Sequence, residues 1–210
     1  MRRLPRGVGG GADGVPRCAW CLGDPLYVEY HDREWGLPVA DDRALFEKIC
    51  LEGFQAGLSW LTILRKRPHF RRVFHGFDIE RLARWGPADV ARALQDPGIV
   101  RHPAKVASVV NNARCALALR EEFGSLAGFL WRFAPSRRAD RVTLATLQKR
   151  STVPEAVRLS GELRRRGWTF VGPTSIYAFM QAVGFVNDHL DGCSVRAEVE
   201  AVWARFVPPS

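Results

Sequence analysis

Apolar residues recur at intervals of three and four along most of the chain, which is the spacing of one face of an α-helix. The clearest case follows Asp41 and Asp42, either of which can cap a helix that runs to a break at Gly57. Leu45 and Ile49 lie on its apolar stripe. Neither the alternating pattern of a strand nor an internal repeat is found. The sequence therefore predicts a mainly α protein.

Capping residues, prolines and glycines divide the rest of the chain into further helices. Ser59 caps a helix that Pro68 is expected to end, and Pro103 opens a longer one. The predicted helices cover 44–57, 60–67, 79–85, 88–95, 104–123, 124–133, 155–166, 174–183 and 194–206. The polar stretch 135–152 predicts an exposed excursion, and the Gly, Pro and Arg of 1–17 predict a disordered basic tail. A single globular domain is expected over 18–193, followed by a C-terminal helix or tail over 194–210.

The charge balance is strongly basic, since 31 Lys and Arg against 22 Asp and Glu give a net charge of +9. This excess favours a polyanionic partner such as nucleic acid, although an Arg-rich composition can also reflect a GC-rich genome. The 5 cysteines are an odd number, which excludes a complete disulfide framework. With no export signal and no membrane-length apolar run, we expect a cytoplasmic protein with reduced thiols and no membrane association. No interface stripe stands out, so a monomer is expected.

Glu52 falls on the buried face of its predicted helix, in phase with Leu45 and Ile49. A carboxylate there is costly unless it is paired or used in function, and pairing with a backbone amide or an arginine is the simpler alternative. Five aromatic residues lie near it in the sequence: Trp20, Tyr27, Tyr30, Trp35 and Trp60. Flat rings around one carboxylate are typical of a pocket for a nucleobase flipped out of DNA, although each ring taken alone is better explained as part of the core.

Two pairs of candidate metal ligands stand at opposite ends of the domain. Cys18 is followed by His31, and His189 is followed by Cys193, so the four side chains match the donors of a tetrahedral structural zinc. Cys21 has an equal claim to the place of Cys18 on spacing alone. Buried thiols and hydrogen-bonded histidines are the alternative to a metal site.

A glycine-containing turn joins two predicted helices in the segment RRRGWTFVGPTSIYAF. This pattern is typical of a helix-hairpin-helix, in which the turn amides and the following helix N-terminus hold a DNA phosphate. A helix pair that serves packing alone has the same pattern.

Four long strings closely resemble the DNA-3-methyladenine glycosylase I family: DPLYVEYHDREWGLP, LFEKICLEGFQAGLSW, GIVRHPAKVASVVNNAR and FVGPTSIYAFMQAVGFVNDH. They follow the family order between residues 18 and 193. The resemblance implies a helix-hairpin-helix DNA glycosylase fold with one structural Zn²⁺ that tethers the two ends of the domain. It also implies the metal ligands, which would be Cys18, His31, His189 and Cys193.

The resemblance further implies hydrolysis of the N-glycosidic bond of 3-methyladenine in alkylated double-stranded DNA. The implied base pocket consists of Trp20, Tyr27, Tyr30, Trp35, Glu52 and Trp60. Glu52 and Tyr30 are the expected catalytic residues. Tyr30 and Trp60 are expected to stack on the base faces, and an anionic Glu52 to accept hydrogen bonds from the adenine edge.

Five residues are expected at the DNA itself. Gly57 and Leu58 would fill the gap left by the flipped base, with a plain turn between two helices as the alternative, and Gly172, Pro173 and Thr174 would hold phosphate. Most helix-hairpin-helix glycosylases carry a catalytic Asp where this chain has Asn187, and that absence is a mark of the family. The competing interpretation is a non-catalytic, zinc-stapled module that binds damaged DNA, which needs no carboxylate among aromatic rings.

Overall fold

Helices make up almost all of the regular structure, which confirms the predicted mainly α class. The computed structural model describes residues 4–136 and 141–209. Two short strands, β1 (Val8–Gly10) and β2 (Pro16–Cys18), precede the helices. The α-helices are α1 (Pro25–Arg33), α2 (Asp42–Gln55), α3 (Trp60–Val73), α4 (Ile79–Ala83), α5 (Pro87–Ala93), α6 (Pro103–Phe123), α7 (Leu126–Trp131), α8 (Leu144–Gln148), α9 (Pro154–Arg165), α10 (Pro173–Ala182) and α11 (Val195–Arg205). None of them is long and apolar enough to cross a lipid bilayer.

Helix α2 forms the centre of the core. Every residue from Leu45 to Phe54 is buried, because α3, α6, α7 and α10 all pack against it. A helix surrounded in this way buries its charged residues together with its apolar stripe. Glu47, Lys48 and Glu52 are therefore enclosed, and each needs a partner or a use. Glu47 has a partner, because Arg71 Nε donates a hydrogen bond to its carboxylate at 2.9 Å.

The predicted helix starts are confirmed by their caps, but one predicted end is wrong. Asp41 accepts from the amide of Ala44 at 2.8 Å, and Ser59 caps α3. Helix α3 does not end at Pro68 but continues to Val73. The proline removes one helical hydrogen bond, at a cost of about 3 kcal/mol. Phe70, in the continued turn, is fully buried in the core, and its burial offsets much of that cost.

The prediction of a disordered N-terminal tail is wrong for the part of the tail that the structure describes; residues 1–3 lie outside it. Strands β1 and β2 pair antiparallel, with Val8 opposite Cys18. Arg17 is tied by salt bridges to Asp13 and Asp32, both at 2.8 Å. Each strand has only three residues, too few for an alternating pattern to be recognised in the sequence.

The segment 135–152 is less exposed than expected, with 137–140 outside the described residues. Val142 is buried and its carbonyl accepts from the amide of Asp191 at 2.8 Å. Helix α8 follows directly. The predicted C-terminal helix is present as α11, where Val199 is buried and the Trp203 indole donates to the carbonyl of Gly36 at 3.1 Å.

Helices α9 and α10 pack against each other across the glycine-containing turn. Gly167, with φ +85°, ends α9 in a conformation that strongly favours glycine. The Asn112 side chain holds the turn by accepting from the amide of Thr169 and donating to its carbonyl, both at 3.0 Å. Pro173 then opens α10, whose later turns reach the central helix α2.

Candidate active site and metal centre

Cys18, His31, His189 and Cys193 converge on one buried point, with all ligand atoms within 4.8 Å of one another. Strand β2 supplies Cys18, α1 supplies His31, and the loop before α11 supplies the other two. His31 Nε2 lies 3.1 Å from His189 Nδ1, and the Cys193 sulfur lies 3.6 Å from each of these nitrogens. The fold thus joins both ends of the domain at this cluster.

The three distances among His31, His189 and Cys193 fit a tetrahedral metal site. With ordinary zinc bond lengths, the edges of such a tetrahedron are about 3.3 Å between two nitrogens and about 3.6 Å between nitrogen and sulfur. The pKa of Cys193 is lowered, first by a hydrogen bond from the Cys18 thiol and then by those from His189 and His31. A thiolate is the form in which cysteine binds a metal. Four protein donors would leave no open position for a substrate or water.

Each histidine is oriented by a hydrogen bond on its other nitrogen. His31 Nδ1 lies 2.7 Å from a carboxylate oxygen of Asp32, and His189 Nε2 donates to the carbonyl of Trp35 at 2.9 Å. Such partners fix the tautomer and the ring angle of metal-binding histidines.

The sequence spacing left open whether Cys18 or Cys21 is the ligand, and the structure places Cys18 in the cluster. Cys21 is buried beside it, with its thiol 3.1 Å from the carbonyl oxygen of Cys18.

A cavity of about 260 Å³ lies against this cluster and collects all six residues that were expected to bind a base. Its walls are Trp20, Tyr27, Tyr30, Trp35, Glu52, Gln55, Trp60, Leu147, Ala178 and Gln181. The sequence interpretation did not find the last two, which α10 contributes from more than 100 residues away. It also missed Gln55, near the end of α2, and Leu147, which lies in the segment that was expected to be exposed.

The aromatic rings form a wall rather than a slot. Tyr30 and Trp60 contact each other, with ring centroids 5.4 Å apart and planes tilted by 47°. A base between two rings needs about 7 Å between their centroids, so these two cannot enclose one between them in this conformation. The expectation that they stack on its two faces does not fit this arrangement, in which the two rings form one shared aromatic surface. Trp20 is 39% exposed at the mouth and stands edge-on to Tyr27 at 4.9 Å.

Glu52 and Trp60 bring unused hydrogen-bonding capacity to the pocket. Glu52 Oε2 is a buried acceptor and Trp60 Nε1 a buried donor, and neither has a partner in residues 4–136 and 141–209. Buried polar atoms are nearly always paired, which makes the two groups candidates for a ligand. Burial raises the pKa of Glu52 to about 8, against the opposing charge of Lys48. The raised pKa favours the protonated carboxyl group near neutral pH, where an anion was expected.

Lys48 is the functional candidate that sequence reasoning missed. It precedes Glu52 by one turn of α2, and its ammonium group lies 4.5 Å from the centroid of the Tyr30 ring. The ammonium also lies 3.3 Å from Glu34, which Arg67 holds with two short hydrogen bonds. Burial lowers the pKa of Lys48, whereas Glu34 raises it. The sequence feature that could have identified Lys48 is its position four residues before Glu52, which places both side chains on the same face of α2.

The turn between α2 and α3 carries Gly57 and Leu58 at the rim of the pocket. Gly57 has φ +82°, and Leu58 is 41% exposed, although leucine is among the residue types most often buried. The neighbouring Gln55 and Trp60 both line the cavity. Lys105 holds the start of this turn, because its ammonium group donates to the carbonyl oxygens of Phe54 at 2.9 Å and Ala56 at 2.6 Å.

Gly172, Pro173 and Thr174 stand at the start of α10, at the surface or partly buried. The same helix brings Gln181 to the pocket, so α10 links the turn to the cavity.

Asn187 does not line this cavity. Its side chain donates to the carbonyl of Arg196 at 3.3 Å and accepts from the amide of His189 at 3.2 Å, so it holds the C-terminal segment in place.

The fold and this site define a helical protein with an aromatic cavity that contains a buried carboxyl group. A sequence model described as methyladenine glycosylase matches residues 20–197, and the chain belongs to that family. As a member of it, the protein is a DNA glycosylase.

Characterised relatives share most of the chain. The protein named DNA-3-methyladenine glycosylase 1 of Escherichia coli is 45% identical over 181 residues, which are 85% of this chain and 96% of the relative. The DNA-3-methyladenine glycosylase of Haemophilus influenzae is 42% identical over 182 residues, covering 86% and 97% of the two chains.

Solved structures of the same family are similar to this chain in both fold and sequence. A crystal structure of a 3-methyladenine DNA glycosylase I has a TM-score of 0.80 and 45% identity, and the match covers 85% of this chain and 98% of that one. The Staphylococcus aureus enzyme, described in terms of 3-methyladenine recognition, has a TM-score of 0.80 and 34% identity, with coverages of 86% and 96%.

Proposed function

We propose that this protein hydrolyses the N-glycosidic bond of 3-methyladenine in alkylated double-stranded DNA. The observation that carries the proposal is the unpaired, buried Glu52 oxygen in a pocket walled by Tyr30 and Trp60. The names of the relatives, all referring to 3-methyladenine, support the same substrate.

The reaction needs little acid catalysis. A methyl group on N3 gives the nucleobase a formal positive charge, so breaking the bond between the sugar carbon and N9 releases a neutral base. The bonding electrons leave with the base, and the sugar becomes an oxocarbenium ion. Water adds to that carbon and loses a proton. The enzyme has to extrude the nucleotide, exclude bulk water and stabilise the cationic sugar, which an anionic Glu52 does by its charge.

Recognition rests on Glu52 and the indole of Trp60. The carboxylate accepts from the adenine amino group, and the indole N–H donates to an acceptor of the same base. A cationic base favours the anion of Glu52, because a nearby positive charge lowers a carboxyl pKa. A 7-methylguanine presents a carbonyl oxygen where adenine has its amino group. This oxygen would face the carboxylate, and such a buried mismatch rejects the wrong base strongly.

The DNA itself is held outside the pocket. Leu58, at the rim, fills the stack that the flipped base leaves, and Gly57 lets the turn approach the duplex closely. The start of α10, at Gly172, Pro173 and Thr174, offers amide groups to a phosphate as the hairpin of a helix-hairpin-helix. The net charge of +9 supports binding to a polyanion.

Cys18, His31, His189 and Cys193 would hold one Zn²⁺. With four protein ligands, the ion supplies folding free energy and no reaction chemistry. It would tie β2 and α1 to the segment before α11 and so support the wall of the pocket.

Release of free bases from methylated duplex DNA, separated by chromatography, tests the function. The wild-type protein should release 3-methyladenine and little 7-methylguanine, and Glu52→Ala should slow the release by a factor of about 100 or more. A folded protein that binds the DNA but releases no base would contradict the proposal and favour a non-catalytic damage-binding role.

A further inference from the structure

Gln181 lines the pocket but is held from behind by Asp188. The Gln181 amide nitrogen lies 2.8 Å from Oδ2 of Asp188, which is 3% exposed. The hydroxyl of Tyr177 donates to the same carboxylate oxygen, and Arg150 lies 3.5 Å from the other. Asp188 is thus a buried carboxylate surrounded by donors, one of which is a pocket residue.

The carboxylate of Asp188 determines the orientation of the Gln181 side-chain amide. A carboxylate only accepts hydrogen bonds, so the amide NH₂ group has to face it, and the carbonyl oxygen has to point away. Tyr177 cannot reverse this arrangement, because burial and the charge of Asp188 both raise the pKa of its hydroxyl. The tyrosine keeps its proton and donates. The amide oxygen is therefore the polar atom of the Gln181 side chain that is left to face the pocket.

We propose that Gln181 is a specificity-determining residue that offers its carbonyl oxygen to the exocyclic amino group of the base, with Asp188 as the positioning residue. The inference rests on the proposed function and adds a second acceptor to Glu52. Nothing in the sequence pattern pointed to either residue.

A second acceptor has a clear use next to Glu52. The pKa of Glu52 is raised to about 8, so near neutral pH this carboxyl group can carry a proton and donate to a 6-oxo purine. An amide oxygen oriented by a carboxylate does not change its role with pH. Gln181 therefore rejects a carbonyl at position 6 in either protonation state of Glu52, whereas Glu52 rejects it only as the anion.

The test compares the affinities of the protein for two free bases, 3-methyladenine and 3-methylhypoxanthine, which differ at position 6 in amino against oxo. The wild-type protein should prefer 3-methyladenine. Gln181→Met keeps the length of the side chain and removes the acceptor, so the ratio of the two dissociation constants should fall by about tenfold or more. An unchanged ratio in this variant would overturn the proposal.

Asp188→Asn tests the positioning role. An asparagine can donate to the Gln181 oxygen, which lets the amide turn its NH₂ group to the pocket, and the ratio should fall at least as far as in Gln181→Met. In the Gln181→Met background the same change should have no further effect. Tyr177→Phe is the matched control, because it removes a partner of Asp188 but leaves the carboxylate facing Gln181, so the ratio should stay at the wild-type value.

Base release from methylated DNA by the wild-type protein is measured alongside. If the wild-type protein releases no 3-methyladenine, the proposed function fails. If it does, and Asp188→Asn or Gln181→Met leaves the ratio unchanged, only the role of Gln181 and Asp188 fails. Melting temperature and bound zinc are recorded for each variant. A variant that does not fold is set aside, and Gln181→Met alone then decides the outcome.

Discussion

Trp35 holds His189 in two ways: its carbonyl oxygen accepts from Nε2 at 2.9 Å, and its ring stands edge-on to the imidazole with centroids 4.7 Å apart. Trp35 also lines the aromatic cavity. The second wall residue in contact with the cluster is Trp20, whose ring is 5.2 Å from His31. The candidate metal site and the aromatic cavity are therefore neighbouring parts of one packed unit.

Metal removal should lower stability before it affects chemistry. Chelation is expected to reduce the melting temperature by roughly 5–15 °C, because the ion links segments that are distant in the chain and contributes several kcal/mol. Differential scanning calorimetry with and without chelator measures this. Below the lowered melting temperature the apo protein should retain activity. Loss of activity without loss of stability would indicate a catalytic metal instead.

Two cysteine variants separate the members of the cluster from their neighbour. Cys18→Ser should abolish stoichiometric zinc binding, because its sulfur belongs to the cluster. Cys21→Ser is the matched control and should bind one Zn²⁺ per chain. Elemental analysis of the purified variants measures the zinc bound per chain. Zinc bound by Cys18→Ser but not by Cys21→Ser would assign the ligand to Cys21.

Glu52 should destabilise the protein at high pH. Its pKa is about 8 in the folded protein against an ordinary value of 4.5. Between these two pH values the unfolded chain loses the proton and the folded protein retains it, so stability falls as pH rises, and the full cost is reached above the folded pKa. Glu52→Gln should therefore be stabilising at about pH 9, on the order of a few kcal/mol, with the advantage shrinking toward about pH 5.

Thermal unfolding of both proteins across this range measures the difference, in which the other ionisable groups cancel. Glu47→Gln is a suitable control, because Glu47 is buried but paired with Arg71. A pH-independent difference between wild type and Glu52→Gln would contradict the raised pKa.

Lys48 should set the working pH of the pocket. Its charge lowers the pKa of Glu52, so Lys48→Met should raise that pKa further and leave less anion at neutral pH. We expect kcat/KM for base release to fall about tenfold near pH 7 and its acid limb to move to higher pH. Lys48→Arg keeps the charge and should restore the profile. An unshifted profile in Lys48→Met would exclude this role.

Leu58 should matter for duplex DNA only. The side chain is 41% exposed, so Leu58→Ala should change the melting temperature little. Because the wedge replaces a base in the stack, we expect slower release of 3-methyladenine from duplex and unchanged release from single strands. Equal rates of wild type and Leu58→Ala on duplex DNA would rule out the wedge.

Much of the helical fold could be predicted because its starts are marked by local chemistry, as at Asp41, Ser59 and Pro103. The continuation of α3 past Pro68 could not, because burial of Phe70 is a tertiary effect. The hairpin at Val8–Cys18 was missed for a similar reason, since its short strands are held by packing near Leu190 and by the salt bridges of Arg17.

The site was predictable where its residues are close in sequence or match a known family, as for Tyr30, Glu52 and Trp60. Gln181 and Asp188 come from the far end of the chain, and only the packing of α10 on α2 brings Gln181 to the pocket. The raised pKa of Glu52 was also beyond the sequence, because it depends on how completely the surrounding helices exclude water.

Binding of free 3-methyladenine to the wild-type protein and to Glu52→Gln, followed by tryptophan fluorescence at about pH 9, where the folded protein carries Glu52 mainly as the anion, tests the central claim most directly. Trp20, Trp35 and Trp60 line the pocket, so occupancy should change the emission. The wild-type protein should bind the base with a dissociation constant at least about tenfold lower than that of Glu52→Gln. Equal affinities, or no binding by the folded wild-type protein, would contradict the assignment of this pocket.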